Sequence, residues 1–96
     1  MRQITADCIR AFINHRVFRR DNTQVEIDNN GSASLYLHGN LIAVHHRGGD
    51  IQITNAGWVT NVTKERLNGI PGVSISQRKG KWYLNDRLWD GSWVKV

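Results

Sequence analysis

Two spacings of apolar residues alternate along this chain, and together they leave few folds open to it. Ile4, Cys8, Ile9, Phe12 and Ile13 recur at helical spacing, which places them on one face of a short helix over 4–14. Thr5 is the expected N-cap, with Asp7 favourable in the first turn. Downstream the spacing drops to two, as in Val25 and Ile27, the pattern of half-buried strands. Further strands are expected over 33–38, 41–46 and 51–54. A second helix is expected from Thr60 or Asn61 to about Asn68, stopped by Gly69 and then Pro71-Gly72. Alternation then resumes at Val73 and Ile75, at Trp82 and Leu84, at Leu88-Trp89, and in a last short strand within 93–96.

The punctuation between these stretches favours hairpins. Asn29-Asn30-Gly31, Gly48-Gly49-Asp50 and Arg78-Lys79-Gly80 read as turns, and Gly39-Asn40 fits a two-residue hairpin loop. Asn85-Asp86 fits a type I′ turn. The segment 15–20 reads as a basic connection. The expected class is α+β: two short helices packed on one face of a mainly antiparallel sheet of six or seven strands. The opposite sheet face is expected to be partly open.

The two parts of the chain echo each other. The segment 35–42 aligns with 82–89, each an aromatic-bearing strand, a tight turn and a return strand. Val25 and Ile27 align with Val73 and Ile75, and Ile9 and Phe12 with Leu67 and Ile70. Half-repeats over 1–46 and 57–96, each helix, strand and hairpin, describe this, and so does chance likeness between short units of one type. Ninety-six residues suit a single domain.

Composition narrows the function. Cys8 is the only cysteine, so an intrachain disulfide and a multi-cysteine zinc site are excluded. It lies on the apolar helix face and reads as a buried small hydrophobe. No apolar run approaches the length of a membrane span, and no signal-peptide pattern follows Met1, so a soluble cytoplasmic protein with no membrane partner is expected.

Catalytic constellations are missing. No phosphate-binding G-x-G-x-x-G or G-K-[ST] pattern occurs, and the serines lack a nucleophile-elbow context. His38, His45, His46 and Asp50 are the nearest approach to a metal set. Adjacent strand residues face opposite sides, so His45 and His46 are not expected to share an ion. Asp86 and Asp90 are accounted for by turns, not by acid–base chemistry. The expectation is a binding protein with no enzymatic activity, metal or cofactor.

Two binding surfaces are expected. Thirteen Lys and Arg against eight Asp and Glu give a net charge of +5. The cations cluster as Arg16, Arg19 and Arg20; as Arg47 beside His45 and His46; and as Arg78, Lys79 and Lys81. Convergence of these groups on one rim would suit a nucleic-acid backbone, with aromatic residues, Trp58 among them, as stacking platforms. The second surface is the C-terminal hairpin and tail. Trp82, Tyr83, Arg87, Trp89 and Trp93 are residue types that dominate protein interfaces, and they crowd into twelve positions. Trp82 and Leu84 should share one face of the hairpin and Tyr83 the other. At least one of Trp89 and Trp93 should be exposed.

Several strings carry a family likeness: Arg2-Gln3-Ile4-Thr5-Ala6, the run 35–40, Ala56-Gly57-Trp58, the run 63–69, the run 82–85 and Trp89-Asp90-Gly91-Ser92-Trp93. With them the chain resembles a group of small accessory, non-structural proteins of tailed bacteriophages, over most of its length. The resemblance implies a protein made in the host cytoplasm. By analogy with small phage proteins outside the structural modules, it implies a host protein or protein complex as partner, and inhibition of a defence or nucleic-acid-processing complex. Direct nucleic-acid binding through the basic rim is the alternative.

Overall fold

A computed structural model describes residues 2–96. The N-terminal apolar stripe forms α1, Gln3–Ile13, and buries Cys8, Ile9, Ala11 and Phe12. Five strands follow as a meander: β1 (Phe18–Arg20), β2 (Thr23–Ile27), β3 (Ala33–Leu37), β4 (Asn40–His45) and β5 (Ile51–Ile53). Next come α2 (Asn61–Asn68), β6 (Ile75–Arg78), β7 (Lys81–Leu84), β8 (Arg87–Leu88) and β9 (Val94–Lys95). Every strand pairing is antiparallel. The architecture is α+β, as the alternating periodicities predict.

The strands form two sheets where one was expected. Six lie in the order β1-β2-β3-β4-β5-β9, and β6-β7-β8 form a separate small sheet. β5 and β9 are neighbours, so α2 and the small sheet are an excursion between two adjacent strands of the main sheet. Periodicity reports which face of a strand is buried. It carries nothing about which strand lies beside it.

The main sheet buries one face. Val25, Ala33, Leu35, Ala43 and Ile53 point inward into the core they share with Cys8 and Phe12 of α1, and all are buried. Between Leu35 and Tyr36 the β3–β4 register shifts at a bulge, so Ile42 and Ala43 are both buried despite being consecutive. The opposite face carries Gln24, Ser34, Tyr36, Leu41, Val44 and Gln52, all partly accessible. The expected open face is therefore present, with Tyr36 across from Leu41.

Several local expectations need correction. Thr5 is not the N-cap of α1: Arg2 holds that position without a side-chain cap, and Thr5 is fully buried. The segment 15–20 contains β1, an edge strand too short and too charged to show alternation. The β3–β4 hairpin turn is His38-Gly39, one residue earlier than expected, both at positive φ (51° and 79°). Trp89 lies outside β8, although its N–H still donates to the Trp82 carbonyl at 3.0 Å. Asn85 and Asp86, at φ 50° and 69°, do form the expected I′ turn. Thr60 caps α2 by accepting from the Thr63 N–H.

Gly69 ends α2, but not by the left-handed cap that glycine there suggests, since its φ is −73°. It stands where α1 and α2 meet. A Cβ at this position would lie 2.8 Å from Thr5 Cγ2 and 2.9 Å from Ile9 Cγ1. The helices also meet through Arg66, the largest fully buried side chain. Its Nε donates to Thr23 Oγ1 at 3.1 Å and its Nη1 to Thr5 Oγ1 at 2.7 Å and Glu65 Oε1 at 2.6 Å. The Thr5 hydroxyl in turn donates to Glu65. A buried cation survives when its donors find acceptors: Nε and Nη1 find them across α1, α2 and β2, whereas Nη2 is buried with no acceptor among the described residues.

Candidate functional site: two clefts either side of an exposed loop

The connection from β5 to α2 is braced from beneath. Asn55 is buried, and its N–H donates to the Gly91 carbonyl at 3.0 Å. The same carbonyl accepts from the Thr54 hydroxyl at 2.5 Å. Asn55 Oδ1 accepts from the Gly57 N–H at 2.8 Å, and its carbonyl accepts from the Trp58 N–H at 2.8 Å. Ala56 and Gly57 both have positive φ, which closes a tight turn. This brace pushes the next two side chains outward: Trp58 is 54% exposed and Val59 57%.

A cleft opens on each side of this loop. The larger, about 480 Å³, has Leu37, Ile42 and Val62 as apolar walls, His38 and Asn40 at the hairpin tip, and Trp58 along its border. The smaller, about 290 Å³, lies between Val59 and Leu88, with Trp82 and Trp89 as its floor and Lys81 and Asp90 at its edge. Leu88 is 65% exposed. Trp58 thus borders the larger cleft, and Val59 and Leu88 the smaller, on neighbouring positions of the loop and the hairpin.

The floor of the smaller cleft is core. Trp82 and Trp89 are buried, their ring centroids 6.3 Å apart. Trp89 Nε1 donates to the Ser92 carbonyl at 3.0 Å, whereas Trp82 Nε1 is buried and has no acceptor among the described residues. Asp90 Oδ1 accepts from the Ser92 hydroxyl at 2.7 Å and the Ser92 N–H at 3.0 Å. The hydroxyl bond first, then the backbone one, hold this carboxyl below its ordinary range.

The residues expected to form a docking site are thus divided. Trp82 and Leu84 share the buried face and Tyr83 the other, as alternation requires. Tyr83 is half-buried under the Arg78 guanidinium, 4.8 Å from its ring centroid. Arg87 is exposed, and so is Trp93. Trp82 and Trp89 lie across the hairpin from each other and turn inward together, so they meet a partner only as the floor of the smaller cleft. Trp58 and Val59 stood outside the expected docking segment, and Leu88 lies within it without being one of its named residues. The signal for the first two was a chain break at Asn55-Ala56-Gly57 followed directly by a helix cap, which leaves 58 and 59 without a strand partner.

The basic residues do not converge on one rim. Arg20 sits at the Thr23 and Leu37 end of the sheet. Arg16 precedes β1, and Arg47 follows β4 and packs along Gly31, at the opposite end. At roughly 3.4 Å per residue these ends are on the order of 13–17 Å apart. Arg78, Lys79 and Lys81 belong to the small sheet. Ion pairs also engage some of them: Arg19 with Glu26 at 2.7 Å, Arg20 with Asp7 at 2.8 Å and Arg78 with Asp86 at 3.3 Å.

The histidines are locally accounted for. His45 turns inward, its Nδ1 donating to the Phe12 carbonyl at 3.2 Å, while His46 turns outward to Gln52. The His15 ring lies 4.3 Å from that of His45, centroid to centroid. Among the described residues, no three His, Cys, Asp or Glu side chains are grouped to hold a metal ion. No helix there is long and apolar enough to cross a membrane.

The structure is thus a small α+β protein that presents an apolar, cleft-bearing surface on an excursion from its main sheet. The chain belongs to the family described as Kyanoviridae Gp96 protein, whose model matches residues 1–95, which makes it a protein of tailed cyanophages. No curated protein and no solved structure matches it.

Proposed function

We propose that this phage protein acts by binding a host protein through the surface that joins the two clefts. One observation carries the reading. Among the described residues five large apolar side chains are exposed, and three of them, Trp58, Val59 and Leu88, border these two clefts. Single exposed apolar residues are ordinary, whereas a grouped set with clefts between its members suits a partner's anchoring side chains. The target class we infer is a host defence or nucleic-acid-processing complex, inhibited by occupation. The net charge of +5 favours an acidic surface on that target. The alternative, direct nucleic-acid binding, draws on Arg16, Arg47, Lys79, Lys81 and Arg87, which form no ion pair among the described residues.

The test separates docking from folding. Trp58→Ala and Leu88→Ser should retain the melting temperature, since both side chains are exposed, and should abolish capture of a host protein from lysate. Capture that persists undiminished in the double variant would reject this surface.

A further inference from the structure

We infer that the smaller cleft receives an acidic segment of the protein partner, anchored by one large apolar side chain between Val59 and Leu88. This rests on the protein-partner reading above and adds the chemistry of the occupant. Size comes first. About 290 Å³ lies at or below the lower bound for small-molecule sites, roughly 300 Å³, and suits a side chain better than a cofactor. The floor is two indoles and the sides are exposed aliphatic groups, so the inserted group is apolar.

Charge supplies the second argument. From 78 to 90 the chain carries four cations, Arg78, Lys79, Lys81 and Arg87, and two carboxylates, Asp86 and Asp90. Asp86 is paired with Arg78, and Asp90 accepts two bonds from Ser92. Lys79, Lys81 and Arg87 remain exposed without a carboxylate partner among the described residues, and Lys81 borders the cleft. A basic or neutral segment would leave these cations uncompensated, whereas flanking Asp or Glu on the occupant would meet them. The third observation is the Trp82 ring, which lines the cleft and whose buried Nε1–H has no acceptor among the described residues. An occupant that shifts this ring could give the N–H a carboxylate or carbonyl acceptor.

The test uses the full chain and a random-sequence peptide display library. Selection on the immobilised protein should enrich peptides of net negative charge that contain at least one Trp, Phe, Leu or Met. Synthetic copies should bind about tenfold more weakly to Leu88→Ser, and about tenfold more weakly to the Lys81→Gln, Arg87→Gln double variant. On binding, the indole N–H resonance of Trp82 should move further than that of Trp93. Basic or neutral consensus peptides, absence of enrichment, or equal binding by the folded variants would overturn the inference. Displacement of the peptides by a dT oligonucleotide at lower concentration than unlabelled peptide would also overturn it and favour nucleic acid. Capture of a host protein that depends on Trp58 and Leu88, alongside peptides that are not acidic, would reject this inference alone.

Discussion

Arg66 Nη1 lies 2.7 Å from the Thr5 hydroxyl, a contact between α2 and α1 across sixty-one residues of sequence. Glu65 accepts from both of these groups, so cation, hydroxyl and carboxylate close a ring at the helix junction. Removing one member breaks the pairings of the others, of which Thr5 and Arg66 are fully buried and Glu65 is partly exposed. Thr5→Val should cost about 1–2 kcal/mol and Arg66→Ala about 3–5 kcal/mol, read from the shift of urea unfolding curves. An Arg66→Ala loss below 1 kcal/mol would show that the ring does not hold the helices together.

Gly69→Ala tests the same junction by size. Alanine is ordinarily better than glycine in a helix by roughly 0.5–1 kcal/mol. Here the added methyl meets Thr5 and Ile9 inside normal contact distance, so overpacking should win and destabilise by about 1–3 kcal/mol. Combining it with Ile9→Ala should recover part of the loss as a favourable coupling in a double-mutant cycle. A Gly69→Ala protein more stable than the parent would contradict the packing.

The Cys8 thiol gives a prediction in pH. Burial, the largest cause, pushes it up to about 11. An unfolded cysteine ionises near about 8.5. The stability held by keeping this thiol neutral is therefore complete below that value and is lost as pH rises toward 11. Parent and Cys8→Ala stability curves should converge over this window, after allowance for the methyl-sized cavity. At pH 8 a thiol reagent should react only after denaturation. Rapid labelling of the native protein would contradict the burial of Cys8.

Nucleic-acid binding should be weak. The cations are split between the ends of one sheet and a second sheet, and Arg19, Arg20 and Arg78 already face carboxylates. A dT oligonucleotide should bind no tighter than about 10⁻⁶–10⁻⁴ M near physiological salt, with affinity falling steeply as salt rises. Sub-micromolar binding in a fluorescence-anisotropy titration would reinstate the basic residues as a nucleic-acid site.

Local structure was legible in the residues wherever it depended on neighbours in the chain. Phe12 and Cys8 lie at core spacing and are core, and Asn85-Asp86 is the turn its residue types require. The side taken by Trp82, Tyr83 and Leu84 followed from alternation. Features set by distant partners were not legible. β1 exists because β2 lies beside it, and nothing in Phe18-Arg19-Arg20 announces an edge strand. Arg66 occupies a buried stripe with Thr63 and Leu67, where pattern reading takes an arginine as a solvent residue. Its acceptors Thr5 and Thr23 are spread across the first quarter of the chain. For the candidate site, tryptophan content drew attention to the hairpin, while the exposed indoles are Trp58 and Trp93. Two tryptophans were needed to fill the core beneath the small sheet, and composition does not say which two.

The excursion between β5 and β9 bears on how such a protein can change over generations. The meander has its own register and hairpins, and the loop that raises Trp58 and Val59 is anchored at the Asn55–Gly91 clasp. Exposed positions between these anchor points can drift without shifting a strand of the main sheet, whereas Arg66, Leu67, Gly69, Ile70, Val73, Ile75, Trp82, Leu84 and Trp89 are tied to the shared core. Gly91 is a further fixed point, since any side chain there would collide with Asn55. A lineage under pressure from a changing host target could therefore rewrite Trp58, Val59, Lys81, Arg87 and Leu88 freely while Arg66, Leu67 and Gly91 stay as they are.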